Sequence, residues 1–247
     1  MDVMTVSALL AGVGWLLGGP LGDLIRDYVG DAYQTLTAEK PLPPPDQAVK
    51  SIAFTIGVIA LSAKMAKADG AVTDPEISAF RKIFTVSPEE AENARRVFDL
   101  ARRDTAGFET YARQIAALFV PGSPVLEELL GSLAAIARAD HEIHPAEIAY
   151  LQQVAAIFGF EGTAFRGVLQ RHLGLAASLE DPYGVLELPA SASDADLKAA
   201  YLRLVKEHHP DRLIAEGLPT EAIGLATETL ASINTAWDKI KRERGIS

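Results

Sequence analysis

The sequence predicts an all-α protein with three parts: a glycine-rich N-terminal helix, a central helical bundle with an internal repeat, and a small C-terminal domain of four helices. Three observations favour this fold class. The apolar residues recur with the 3.6-residue period of a helix, strand-like alternation is nearly absent, and one helix–turn–helix pattern occurs twice. With 247 residues the chain is long enough for more than one domain.

The N-terminal residues 3–22 carry no charge, which gives about the length that crosses a bilayer as a helix. We therefore interpret residues 1–36 as a membrane anchor; the alternative is a buried or peripheral helix. Three glycines recur every four residues in this segment, at Gly14, Gly18 and Gly22. Such spacing lets two membrane helices approach closely, so it predicts a homodimer through this helix.

A proline-rich stretch from Pro41 to Pro45 predicts a stiff linker over residues 37–50. A bundle is predicted over residues 51–172, because residues 66–77 and residues 137–148 match when the chain is shifted by 71 residues. Each copy has an apolar helix before an Asp-led turn and a second helix after it. The bundle is followed by a short linker at 173–180 and then by the C-terminal domain, residues 181–247.

The C-terminal domain contains an amphipathic helix that ends at a His-Pro-Asp tripeptide. Pro210 lacks an N–H and disfavours helix at the preceding residue, so the helix is predicted to end there and to leave His209 and Asp211 exposed. His208 lies on the apolar face and is interpreted as a packed core residue. Residues 213–220 are predicted to extend the loop. Eight residues are assigned to the core of this domain: Tyr183, Leu186, Leu197, Tyr201, Leu204, Leu230, Ile233 and Trp237.

These features resemble the J-domain of the DnaJ family. The resemblance implies that His209, Pro210 and Asp211 contact a DnaK-type chaperone and stimulate its ATPase, with electrostatic support from basic residues of the same surface: Lys198, Arg203, Lys206 and Arg212. Leu202 and Glu207 depart from the family pattern, which usually has lysine at both positions. The departure predicts weaker electrostatic steering and a narrower choice of partner.

The bundle resembles a TerB-type domain, and the complete layout is similar to that of the DjlA-type membrane-anchored co-chaperones of bacteria. The TerB resemblance implies a divalent cation held by four carboxylates: Asp69, Glu76, Asp140 and Glu147. Oxygen ligands of this kind suit calcium or magnesium. The alternative is that these residues cap helices and close turns. No other cofactor is expected.

Composition restricts the function further. The chain has no cysteine and a net charge of −10 without a basic domain, so thiolate metal sites are excluded and nucleic acid is not an expected partner. No catalytic motif is present, so an enzyme is not expected, although a metal-dependent hydrolase is the enzymatic alternative. The predicted location is the bacterial inner membrane, with the bulk of the chain in the cytoplasm; the alternative is a soluble cytoplasmic protein. The alternative function is an interaction scaffold whose TerB-like domain binds a metal ion or an envelope or stress partner.

Overall fold

A computed structural model describes six stretches of the chain: residues 19–24, 45–69, 88–103, 107–140, 144–172 and 180–246. Every regular element within these stretches is helical, as predicted. The N-terminal helix is predicted to be both a membrane anchor and a dimer contact, and its residues up to residue 18 lie outside the described residues.

Ten α-helices are described, and two short 3₁₀ turns accompany them at Arg138–Asp140 and Thr220–Ala222. In chain order the helices are α1 (Pro45–Asp69), α2 (Pro88–Arg103), α3 (Phe108–Ala116), α4 (Pro124–Ala137), α5 (Pro145–Phe158), α6 (Thr163–His172), α7 (Pro182–Val185), α8 (Asp194–Glu207), α9 (Pro210–Glu216) and α10 (Ile223–Arg244). Helix α1 includes residues 45–50, which the sequence analysis assigned to the linker.

The bundle, helices α1 to α6, is organised around α4. Twelve of the fourteen residues of α4 are buried, because this helix is apolar on nearly all sides and packs against α1, α5 and α6. Proline starts α4 and α5 at a position where its missing N–H is not needed. Gly159 ends α5 at φ 92°, a left-handed conformation that favours glycine. The bundle core is therefore continuous around one central helix.

A helical segment at residues 19–24 packs on the bundle. Leu21 and Leu24 belong to the bundle core, and the backbone N–H of Leu21 donates to Oε1 of Gln114 at 3.1 Å. The side chain of Leu21, near the end of the uncharged N-terminal run, and that of Leu24, just after the run, are thus buried in the bundle. Within the described stretches, none of the helices has both the length and the apolar character that a bilayer crossing requires.

The C-terminal domain has a core of its own, formed by α7, α8 and the second half of α10. Eight buried residues make up this core: Val185, Leu186, Leu197, Leu204, Ile233, Ala236, Trp237 and Ile240. Tyr201 stacks on Trp237 with ring centroids 5.0 Å apart, and its hydroxyl donates to Asn234. Leu230, which was also assigned to this core, is half-buried.

Residues 213–220 differ from the extended loop that the sequence analysis predicts. The chain forms helix α9 from Pro210 of the His-Pro-Asp tripeptide to Glu216, and Gly217 ends that helix at φ 116°. The physical reason lies in the contacts that the sequence could not show: Leu213 and Leu218 are buried in the bundle core, together with Ala222, Leu225 and Ala226 at the start of α10. Helix α10 therefore contributes to two cores, the bundle at its start and the C-terminal domain further along.

Candidate functional site

The His-Pro-Asp tripeptide joins α8 to α9. Ser193 caps the start of helix α8, where its hydroxyl accepts the N–H of Asp196 at 3.1 Å, and His208 is the C-terminal cap of the same helix. His209 has an extended backbone and caps the start of α9, where its Nδ1 accepts the N–H of Asp211 at 3.3 Å. Pro210 occupies the first helical position, for which its fixed φ is suited. The tripeptide is thus a tight corner between two helices.

The corner presents its polar groups to solvent. The side chain of His209 is 54% exposed and that of Asp211 is 89% exposed. The exposure expected for both side chains is present. Apart from the cap at the Asp211 N–H and a long contact of 3.9 Å with the Asp211 carboxylate, no described group engages the His209 ring. Both side chains are therefore available to another molecule.

The four cations of the predicted contact surface fall into two classes. Arg203 donates to Glu207 at 2.7 Å and to Glu187 at 3.1 Å, and Arg212 donates to Glu216 at 2.7 Å. Lys198 and Lys206 are exposed, and the described part of the chain offers them no ion pair. An exposed intramolecular pair leaves a cation less able to attract an acidic partner. The positive charge of this surface that is not offset by a described ion pair therefore lies on the two lysines.

Leu202 lies between these lysines on one stripe of α8, because positions 198, 202 and 206 recur every four residues. Its side chain is 55% exposed, which is large for a leucine on a folded domain. The surface next to the His-Pro-Asp corner is therefore an apolar centre between two unpaired positive charges.

Behind the corner lies a buried charge cluster that the sequence analysis did not predict. It consists of Glu127 and Glu128 on α4, Arg171 on α6 and His208 at the end of α8; all four are at most 5% exposed. The two ring nitrogens of His208 face different carboxylates, with Nε2 at 3.4 Å from Glu127 Oε2 and Nδ1 at 3.4 Å from Glu128 Oε1. Only a protonated imidazole can donate from both nitrogens. The cluster joins the bundle to the C-terminal domain.

Arg171 completes this cluster from the bundle side. Its guanidinium donates to Glu127 at 2.5 Å, to the carbonyl oxygen of Val185 at 2.8 Å and to Glu187 at 2.8 Å. One arginine of α6 thus binds both a bundle carboxylate and two groups of the C-terminal domain. A buried charge with several partners of opposite sign avoids most of the penalty of leaving water.

The protonation states follow from burial and from these partners. Burial alone would raise the pKa of Glu127, but Arg171 and His208 hold it well below its usual range. Burial alone would lower the pKa of His208, but the two glutamates raise it to about 9. Burial lowers the pKa of the neighbouring His172, which is therefore neutral at pH 7. At pH 7 the cluster accordingly contains a carboxylate at Glu127, a guanidinium and an imidazolium.

The sequence holds one signal that points to this cluster. Glu127 and Glu128 are adjacent in a helix that is otherwise almost wholly apolar, and buried carboxylates require charged or hydrogen-bonding partners. That signal indicates that the two glutamate side chains need partners, but it does not identify the partners. His208 is buried as predicted, but its contact with two carboxylates was missed.

The predicted cation site is described only in part. Glu76 lies outside the described residues, and the side chains of Asp69 and Asp140 are not described either. Glu147 is buried, and its Oε2 accepts the backbone N–H of His144 at 2.7 Å as part of a capping box. Across the stretches that are described, no group of three or more His, Asp or Glu side chains is arranged so that it could hold a metal ion. Glu147 thus has the capping role, and the metal site stays a prediction.

Comparisons with known proteins match two parts of the chain to known families. Residues 55–170 match the family described as tellurite resistance protein TerB, and residues 181–244 match the DnaJ domain. Curated relatives carry the name co-chaperone protein DjlA. The protein of Aliivibrio fischeri is 29% identical over 81% of this chain and 82% of its own length. That of Coxiella burnetii is 26% identical over 95% and 96%, and that of Shewanella oneidensis is 36% identical over 44% and 46%. No solved structure matches.

Proposed function

We propose that this chain is a DnaJ-type co-chaperone that recruits a DnaK-type chaperone and stimulates its ATPase through His209, Pro210 and Asp211. The proposal is supported by the match of a TerB domain before a C-terminal DnaJ domain and by the similarity to proteins named co-chaperone protein DjlA. The observation that carries the proposal is the exposure of the His-Pro-Asp corner directly after α8. The chain performs no catalysis of its own in this proposal and acts on the partner's nucleotide turnover.

The four cations of this surface are expected to contribute unequally to chaperone binding. Lys198 and Lys206, which have no ion pair in the described part of the chain, attract an acidic surface of the chaperone, and the exposed Leu202 adds an apolar contact between them. Arg203 and Arg212 contribute less because glutamates of the same chain neutralise them. Stimulation should therefore weaken with salt, and Lys198→Ala and Lys206→Ala should weaken it more than Arg212→Ala.

The test is the steady-state ATPase of a DnaK-type chaperone with the full chain and with His209→Gln. We expect the variant to lose stimulation and to keep its helical content, because the His209 ring is mostly solvent-exposed. Glu228→Gln on the exposed face of α10 is the matched control and should stimulate normally. Normal stimulation by His209→Gln would reject the proposal and favour an interaction scaffold.

We further propose that the N-terminal residues attach the protein to the cytoplasmic face of the inner membrane. The support is the uncharged run over residues 3–22; because Leu21 and Leu24 are buried in the bundle, the membrane-embedded part ends before them. Full-length protein should stay in the pellet after a carbonate wash of membranes, and a protein that lacks residues 1–18 should be released. Release of both would contradict anchoring. Crosslinking of the full-length protein in membranes tests the predicted homodimer through the helix that carries Gly14, Gly18 and Gly22.

A further inference from the structure

The His-Pro-Asp corner lies between two side chains that are buried in contact with the bundle. His208 precedes the tripeptide and is 1% exposed, and Leu213 follows it by two residues and is fully buried. Only residues 209–212 separate them along the chain. A segment this short between two fixed points has little conformational freedom, so the orientation of the corner depends on the contacts of both points.

The first point is held by carboxylates of the bundle. Glu128 accepts from His208 through Oε1 at 3.4 Å and from the hydroxyl of Thr229 on α10 through Oε2 at 3.2 Å. One fully buried side chain of α4 thus binds the end of α8 and the side of α10 together. Glu127 contacts the other nitrogen of the His208 ring.

The second point is held by apolar contact and close backbone approach. Leu213 and Leu218, on either side of the end of α9, belong to the bundle core. At Gly217 an added Cβ would come within 2.5 Å of the Cβ of Lys50 on α1, and the side-chain amide of Gln47 on the same helix donates to the carbonyl oxygen of Ile214. Helix α9 therefore packs directly on the bundle.

We propose that the TerB bundle positions the His-Pro-Asp corner for the chaperone, with Glu128 as a positioning residue that acts through His208. The proposal rests on the proposed function. The docking leaves His209 and Asp211 exposed, so the bundle orders the corner without covering it. Ordering that is complete before binding lowers the entropic cost of the encounter and raises the affinity, while the chemistry of stimulation at saturation is unchanged.

The first experiment separates affinity from maximal effect. The ATPase of a DnaK-type chaperone is measured against the concentration of full-length wild type, Glu128→Gln, Leu213→Ala and the exposed bundle control Glu161→Gln. We expect the half-maximal concentration to rise roughly threefold to tenfold for the first two variants, with maximal stimulation retained. The control should match the wild type. A lower maximum at an unchanged half-maximal concentration would overturn the proposal.

The second experiment observes the corner itself, in the same full-length proteins without the chaperone. Amide hydrogen exchange should become faster over residues 208–218 in Glu128→Gln and in Leu213→Ala, while the C-terminal core around Leu204 and Ile233 stays protected. The two variants alter two separate contacts with the bundle, so the test remains decisive if one variant does not fold.

The outcomes distinguish the two levels of the argument. If His209→Gln loses stimulation but Glu128→Gln and Leu213→Ala leave both the half-maximal concentration and the exchange unchanged, the proposed function stands and the positioning role is overturned. If His209→Gln stimulates normally, the proposed function fails, and the hydrogen-exchange result alone decides whether the bundle positions the corner. Faster exchange at the corner then supports positioning by the bundle, and unchanged exchange rejects it.

Discussion

Raising the pH from about 6.5 to about 9.5 should weaken the attachment of the C-terminal domain to the bundle, because His208 then loses its proton. The neutral ring can donate from one nitrogen only, whereas Glu127 and Glu128 face both nitrogens. One of the two glutamates would lose its hydrogen bond from His208, and within the cluster Arg171 alone would balance the charge of Glu127.

The magnitude follows from the pKa of His208, which rises from 6.5 to about 9 on folding. That difference corresponds to about 3 kcal/mol of folding free energy, at 1.36 kcal/mol for each pH unit. Because the folded pKa is the higher one, the stabilisation is complete below pH 6.5 and is lost as the pH rises through 9. The lowered pKa values of Glu127 and His172 make folding stability depend on pH only below 4.5 and below 6.5, respectively. Neither residue therefore contributes to the change in stability between about pH 6.5 and 9.5 that is assigned to His208.

The assay is urea unfolding of the full-length protein at several pH values, for the wild type and for His208→Gln. The variant cannot titrate at this position, so the difference in unfolding free energy between the two proteins should shrink by about 3 kcal/mol across the window. A difference that stays constant within about 0.5 kcal/mol would refute the reasoning. An NMR titration of the His208 ring checks the same quantity directly, and a pKa at or below 6.5 would contradict the ion-paired cluster.

Three further substitutions test other parts of the structure. Leu202→Lys should reduce stimulation of the cognate chaperone roughly threefold at physiological salt, through loss of an apolar contact, and should change stability by less than about 0.5 kcal/mol; equal stimulation would show that Leu202 does not tune the surface. Gly217→Ala should lower the unfolding free energy by about 1 to 3 kcal/mol, because φ is 116° and the added Cβ would clash with Lys50. The control Gly224→Ala should be neutral or slightly stabilising, because a Cβ at that position faces open space. Glu147→Ala should lower stability by about 1 kcal/mol through loss of the capping box; a loss that appears only with calcium and not with a chelator would instead support the predicted cation site.

Much of the fold could be predicted because it depends on local patterns. Helical periodicity, the cap at Ser193 and the proline at the first position of α9 each rest on residues close in the chain. The same holds for the His-Pro-Asp corner, since Pro210 ends α8 whatever the rest of the protein does. The exposure of His209 and Asp211 follows from this local geometry, so the candidate site was within reach of the sequence.

The partners of buried faces could not be predicted in the same way. Periodicity shows that Leu225 and Ile233 lie on one face of α10, yet the first packs in the bundle and the second in the C-terminal core. The sequence likewise indicates that Glu127 and Glu128 need partners but not that His208, some eighty residues later, supplies one. Helix α9 formed where a loop was predicted because the bundle buries Leu213.

The amino-acid order by itself determined the helices, the boundaries set by proline and glycine, and the His-Pro-Asp tripeptide on which the proposed function rests. Tertiary structure alone decided that the two domains share a buried charge cluster and that the His-Pro-Asp corner lies between two contact points on the bundle. The physical reason is that helix formation and capping act between residues a few positions apart, whereas burial and charge pairing act between whichever surfaces the folded chain brings together.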